Sequence, residues 1–267
     1  MTESTQNLQV GDRSIRVAVR EGSADRPPLV LCNGIGARLA LLQPFVDALD
    51  SEIGVIRFDV PGVGRSSAPG MPYTFASVAR LLGEVLDELG VDQVDVLGFS
   101  WGGGLAQQFA LQNPRRCRRL VLVSTTTGSL MVPASPPALL EMAAALRDRE
   151  PGYASRIAAT LYGGRLRDEP RLARRYVFGH FPRANDAGYL MQVLAAACWT
   201  SLPALPLIRQ KTLILAGDDD PIIPVVNARI MHALLPNAEL DVFADGHLGL
   251  ITGARELAPR VAEFLDD

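Results

Sequence analysis

Histidine is scarce in this chain, with three among 267 residues, and cysteine is equally so. Cys32, Cys117 and Cys198 lie far apart, which excludes a disulfide framework and a cysteine-based metal site. Buried thiols in a reducing compartment are expected instead. Basic charge is not concentrated either. The net charge is −3, and no basic cluster is denser than Arg115-Arg116-Cys117-Arg118-Arg119. Nucleic acid therefore has no electrostatic footprint here. Those arginines fall between a helical and a strand-like stretch and read as a solvated corner at a helix C-terminus. No apolar run approaches the roughly 20 residues that cross a membrane. The opening M-T-E-S-T-Q has neither the basic start nor the apolar centre of a signal peptide, so a cytoplasmic setting is expected. What is present is the composition of a globular protein, 48% hydrophobic and 21% charged. The length suits one α/β domain with an insertion, or two small domains.

Leu8-Gln9-Val10 and Ser14-Ile15-Arg16-Val17-Ala18-Val19, joined across Gly11-Asp12, predict an antiparallel hairpin. Leu29-Val30-Leu31-Cys32 is wholly apolar, as a strand covered on both faces requires. It empties into N-G-I-G-A (33–37). Residues 41–49 have a helical period, and residues 55–60 form the next strand. Val78, Leu81, Leu82, Val85, Leu86 and Leu89 make a helical stripe that Gly90 terminates. Two further strands follow, at 94–99 and 120–124. Strands alternating with helices imply right-handed crossovers and a mostly parallel, twisted sheet. Over 128–205 the strand signal vanishes. Apolar residues recur at helical spacing (Leu139, Met142, Ala143 and Leu146; Tyr153, Ile157 and Leu161; Leu190, Leu194 and Cys198). These stripes predict the interior of a small helical cap. Residues 1–127 and 206–267 are then the two parts of the sheet domain, with strands resuming at 212–217 and 240–243 and a closing helix on Leu257, Val261 and Leu265.

The chemistry centres on V-D-V-L-G-F-S-W-G-G-G (94–104). A strand turns directly into a helix around Ser100, which demands a strained backbone that lifts the hydroxyl above the sheet. Gly98 and Gly102 flank the turn where side chains would crowd it. Gly103 and Gly104 are expected to let the helix lie close to neighbouring strands. A serine hydroxyl becomes a competent nucleophile when a histidine takes its proton. His180 falls in the cap and His232 within a helix remote from any strand end. His247, in D-G-H after the last strand, lies at the carboxyl edge of the sheet, where such folds place ligands. The acid that orients it should leave a neighbouring strand end. A-G-D-D-D-P (216–221) offers three aspartates. Asp220 is favoured by its G-x-x-D-x-x-x-P setting with Pro224, while Asp218 and Asp219 suit turn acceptors. The alternating ligands and terminal glutamate of a calcium loop are missing. Developing negative charge on a substrate oxygen needs backbone donors. The Trp101 N–H at the helix start and the Ile35 N–H in the first strand–helix loop are placed for it, a plain tight turn at 33–37 being the alternative. No metal and no organic cofactor is implied.

With these residues placed, the sequence resembles the intracellular medium-chain-length poly(3-hydroxyalkanoate) depolymerases of the α/β-hydrolase superfamily. The resemblance runs through N-G-I-G-A (33–37), F-D-V-P-G-V-G (58–64), F-S-W-G-G (99–103), L-A-Q-Q-F-A (105–110) and M-V-P (131–133). It continues through Y-G-G (162–164), W-T-S (199–201), A-G-D-D-D-P (216–221) and D-G-H-L (245–248). The cap motifs carry most weight, because the others recur across the superfamily. Phe99 departs from the smaller residue of the family form. The resemblance implies an α/β-hydrolase fold with an inserted helical cap, and a triad of Ser100, Asp220 and His247. It also implies a hydrophobic polyester substrate cleaved through an acyl-enzyme, and association with a storage-granule surface. F-S-W-G is shared with prolyl iminopeptidases, whose H-G-G-P-G loop is absent. Haloalkane dehalogenases and epoxide hydrolases use an aspartate where Ser100 stands. A general carboxylesterase or lactonase is the nearest alternative, and a non-catalytic ligand receptor or granule-coat protein the remote one.

Overall fold

The structure is a computed structural model, and it describes residues 3–145, 156–176 and 187–267. Its strands are Glu3–Val10 (β1), Arg13–Arg20 (β2), Leu29–Cys32 (β3), Val55–Phe58 (β4), Val94–Phe99 (β5), Cys117–Val123 (β6), Lys211–Gly217 (β7) and Ala238–Phe243 (β8). They form one eight-stranded sheet in the order β1-β2-β4-β3-β5-β6-β7-β8. The β1–β2 and β2–β4 pairs are antiparallel, and every other pair is parallel. The chain leaves β3 toward one edge of the sheet and returns through β5 toward the other. The carboxyl ends of β3 and β5 therefore border the topological switch point, where such sheets open a crevice.

The helices are Gln43–Ala48 (α1), Phe75–Glu88 (α2), Trp101–Gln112 (α3), Pro136–Ala145 (α4), Ala158–Tyr162 (α5), Arg165–Asp168 (α6), Pro170–Tyr176 (α7), Ala187–Ala197 (α8), Val226–Leu234 (α9), Gly249–Thr252 (α10) and Ala254–Asp266 (α11). Alternation along each strand feeds two cores. Val30, Cys32 and Val96 pack with α2 and α3 on one face. Leu29, Leu31 and Leu97 pack with α1 and α11 on the other. That is why β3 reads as unbroken apolar sequence: all four of its residues are buried. Helix α2 begins where Thr74 and Ser77 exchange side-chain and backbone hydrogen bonds, and its Val78, Leu81, Leu82, Val85 and Leu86 are buried. Truncating any one of these leucines to alanine in such a core costs about 2–5 kcal/mol.

Between β6 and β7 the described residues contain helices α4 to α8 and a single bridge, Gly128 to Thr200. The apolar stripes expected to form the interior of this segment mostly do not. Leu139, Met142, Leu190 and Leu194 are exposed, as is Cys198, whereas Ile157 and Leu161 are buried. Leu146 and Tyr153 lie outside the described residues. Helix α8 instead turns Gly188, Gln192 and Ala195 inward. A close approach is the reason: a Cβ at Gly188 would lie 2.1 Å from the Gly62 carbonyl oxygen, so only the small-residue face of the helix fits there.

Two other expectations change. The arginine cluster is not simply solvated, because β6 begins at Cys117 and carries Arg118 beside β5. Arg118 makes a two-pronged ion pair with buried Asp95, at 2.9 and 2.6 Å, and Arg116 binds Asp87 at 2.7 Å. Gly104 meets a helix, not a strand, since a Cβ there would lie 2.8 Å from the Phe75 ring of α2. Gly103 does meet a strand end, at Thr125. Among the described residues, no helix is long and apolar enough to cross a membrane.

Burial pushes the Cys32 and Cys117 thiols well above their usual range, while Cys198 is exposed. Since the thiolate is the reactive form, a disulfide reagent is expected to titrate one thiol in the native protein and all three after denaturation. Rapid reaction of a second thiol under native conditions would contradict this packing.

Candidate active site

The elbow is built by backbone crowding. Ser100 adopts φ 54° and ψ −120°, a conformation that side chains disfavour and that costs about 1–3 kcal/mol. Its surroundings hold it there. The Ser100 N–H donates to Val123 O at 2.9 Å, and its carbonyl accepts from the Gly103 N–H and the Thr125 hydroxyl, at 2.9 and 2.6 Å. Both flanking glycines are obligatory. A Cβ at Gly98 would sit 2.4 Å from Gly102 O, and one at Gly102 would sit 2.0 Å from Cys32 O. The start of α3 is thus pressed onto the carboxyl end of β3, and Ser100 stands at the switch point.

Two loops from the far side of the sheet meet the serine. Asp220 follows β7 and His247 follows β8; both are buried. His247 Nε2 lies 3.0 Å from Ser100 Oγ, and His247 Nδ1 lies 2.8 Å from Asp220 Oδ2. The second oxygen of Asp220 accepts the Ile222 and Ile223 N–H groups, at 2.9 and 2.8 Å, which fixes the carboxylate plane. A proton on Nδ1 donated to Asp220 leaves Nε2 as acceptor for the serine hydroxyl. The Phe99 ring packs 5.4 Å from the imidazole and against Gly34. The bulkier residue of the elbow thereby becomes a spacer between the base and the 33–37 loop. Asp219 is a long-range acceptor and not the local turn acceptor expected for it, taking the Gly164 N–H at 2.7 Å from 55 residues away and pairing with Arg167. Asp218 is exposed. His232 is exposed on α9, and His180 lies outside the described residues.

The 33–37 loop presents one amide. The Gly34 N–H is taken by Asn33 Oδ1, that of Gly36 by Gln192 Oε1 and that of Ala37 by Gly34 O, at 2.9, 2.6 and 3.1 Å. Among the described residues no acceptor takes the Ile35 N–H, nor that of Trp101 at the start of α3. The loop lies on the elbow, with the Cβ direction of Gly34 3.6 Å from Ser100 Cβ. Two free donors beside a nucleophile suit an oxygen that gains charge. The Trp101 side chain is packed rather than open, with its ring 4.5 Å from Phe75 and its Nε1–H bonded to Gln192 O at 2.9 Å.

Sequence reasoning missed the contribution of the segment between β6 and β7 to this machinery. The turn after α5 contacts the loops that carry Asp220 and His247. Tyr162 O accepts the His247 N–H at 2.7 Å, and the Tyr162 ring stacks 6.3 Å from the imidazole. Gly163 and Gly164 have φ of 65° and 52°. Added Cβ atoms would lie 2.0 Å from Asp219 O and 1.9 Å from Gly246 N, respectively. The Arg165 N–H donates to Asp245 Oδ1 at 2.9 Å, and buried Asp245 also binds the Thr252 hydroxyl. The visible signal was the Y-G-G sequence, a resemblance with no local rationale. Gln192 had a fainter one, as the sole amide in an otherwise apolar helix.

Residues 27–254 match the family described as alpha/beta hydrolase fold. A poly(3-hydroxyalkanoate) depolymerase of Ectopseudomonas oleovorans is 47% identical over 97% of this chain and 91% of its own. Among solved structures, a hydrolase from Pseudomonas aeruginosa is 28% identical with a TM-score of 0.78, covering 98% of both chains. The enol-lactonase of Burkholderia xenovorans superimposes with a TM-score of 0.81 at 21% identity, over 98% of this chain and 100% of its own, a likeness of fold alone. A family match over most of the sequence, and a relative sharing nearly half its residues end to end, agree with the sheet order: this chain belongs to the alpha/beta hydrolase fold family.

Proposed function

We propose that the protein is a serine hydrolase cleaving the ester bonds of medium-chain-length poly(3-hydroxyalkanoate), with Ser100 as nucleophile, His247 as base and Asp220 as its orienting acid. The observation that carries the chemistry is the unbroken Ser100–His247–Asp220 contact at 3.0 and 2.8 Å beneath two free amides. The observation that favours the polyester is the 47% identical depolymerase relative. Residues 128–205 act as a helical cap over the core formed by 1–127 and 206–267. Cytoplasmic storage granules supply the substrate surface.

The reaction follows from the geometry. Ser100 Oγ attacks the ester carbonyl while His247 Nε2 takes its proton. The carbonyl oxygen, now negative, is received by the Ile35 and Trp101 N–H groups. Asp220 stabilises the imidazolium. His247 passes the proton to the departing alkoxide, which leaves as a hydroxyl-terminated chain, and Ser100 remains acylated. Water, deprotonated by His247, attacks the acyl carbon, and the second collapse releases the 3-hydroxy acid or oligomer and restores Ser100. Gly163 and Gly164 hold the His247 loop at the distance this shuttle needs.

Release of 3-hydroxy acids from an amorphous polyester emulsion is expected to fall about 10⁴-fold or more in Ser100→Ala, and about 10³–10⁴-fold in Asp220→Asn. Turnover of soluble nitrophenyl esters without polymer turnover would convert the reading to a carboxylesterase or lactonase. Activity retained in Ser100→Ala would end the mechanism. Gly164→Ala is expected to lower kcat about 10- to 100-fold by displacing Gly246 and hence His247. An unchanged kcat in that variant, measured beside its thermal unfolding, would show that the glycine contact does not set the base.

A further inference from the structure

Gln192 combines features that stability alone does not explain. It is 1% exposed on a helix whose Leu190 and Leu194 face outward. A buried amide amid exposed leucines inverts the usual amphipathic pattern, and buried polar groups are the informative ones. Its two polar contacts both go to the active site. Its Oε1 accepts the Gly36 N–H at 2.6 Å, across 156 residues of chain, and its backbone carbonyl accepts the Trp101 Nε1–H at 2.9 Å.

Gly36 has φ 67°, so the peptide between Ile35 and Gly36 sits in a backbone region with little intrinsic preference to hold it. On the other side of Ile35, Asn33 pins the loop: Asn33 Oδ1 accepts the Gly34 N–H, and Asn33 Nδ2 donates to Arg38 O at 2.7 Å. The Gln192 carboxamide supplies the pin on the near side. With both peptides fixed, the Ile35 N–H is the one left to face the serine. Without Gln192, the Gly36 N–H is a second free donor, and the turn bond from the Ala37 N–H to Gly34 O at 3.1 Å is left to hold the peptide that carries the Ile35 N–H. The residue at the opposite rim, Trp101, is tied to the same Gln192 through its side chain.

We propose that Gln192 is the positioning residue of the oxyanion hole. It sets the Ile35 N–H through Gly36, and it references both rims of the hole to helix α8. This rests on the assignment of Ser100 as nucleophile and of Ile35 and Trp101 as oxyanion donors. One consequence is that the hole is assembled only while α8 is seated on the core at Gly62 and Trp101.

The test uses the full-length protein with Gln192→Met, which fills the space without an acceptor, and Gln192→Asn, which keeps the amide but falls one methylene short. Each is assayed for kcat and KM on a nitrophenyl ester, and for the rate of Ser100 labelling by a nitrophenyl alkylphosphonate, whose phosphoryl oxygen occupies the hole. Both variants are expected to lose about 10²-fold in kcat with KM unchanged, and to be labelled more slowly by the same factor while still unfolding in a single cooperative thermal transition. Either variant suffices if the other does not fold. Wild-type rates of turnover and labelling in a folded variant would overturn the proposal. So would a raised KM at unchanged kcat, which marks a contact with substrate instead. Failure of the wild-type protein to be labelled at Ser100 would overturn the nucleophile assignment beneath it, a separate outcome.

Discussion

The contact on which this site depends is between two backbones. Gly102, at the start of α3, lies so close to the Cys32 carbonyl at the end of β3 that a Cβ would be 2.0 Å from that oxygen. This approach holds Ser100 in its strained turn and brings the 33–37 loop over the same point. The cost of the strain is met by bonds to Val123, Gly103 and Thr125 from within the sheet and helix. A serine presented in this way stands clear of the sheet without a conformational change, with its hydroxyl oxygen 3.0 Å from the His247 imidazole.

From that point the site is completed by loops on both sides of β5, from the adjacent β3 and from β7 and β8 toward one edge of the sheet. Parallel strands deliver their following loops to one edge, so the ends of β3, β5, β7 and β8 bring Ile35, Ser100, Asp220 and His247 together there, the residues proposed as amide, nucleophile, acid and base. The segment between β6 and β7 does more than cover this edge. Its first short helices place Tyr162 to Arg165 against the acid and base loops, and α8 places Gln192 against the amide loop. The two contacts address different halves of the machinery. In the proposed mechanism the first bears on proton transfer and the second on charge stabilisation.

The packing of the insertion also shows why its amphipathic pattern misleads. Helix periodicity assigns an interior face by hydrophobicity, but close approach selects by size. At Gly188 the neighbouring Gly62 backbone admits no side chain, so the small residues and Gln192 turn inward and the leucines outward. Elsewhere hydrophobicity and space agree, as in α2, where the apolar stripe is buried as its period predicts. The difference lies in the partner: α2 meets side chains that interdigitate, whereas α8 meets backbone.

What the sequence by itself determined is local. Strand β3 is apolar throughout because both faces are covered. Gly98 and Gly102 flank Ser100 in the five residues G-F-S-W-G, and Asp220 and His247 stand just beyond strand ends that the alternation of elements already marks. In each case the pattern lies within a short stretch of chain and is visible without coordinates, although the contact that makes Gly102 obligatory, the Cys32 carbonyl, comes from β3. Only the tertiary structure decided the rest. Gln192 meets Trp101 across 91 residues and Gly36 across 156, and Arg118 leaves the solvated corner for Asp95 on the adjacent strand. Such contacts are set by which surfaces the sheet brings within hydrogen-bond reach, and no spacing along the chain records that distance.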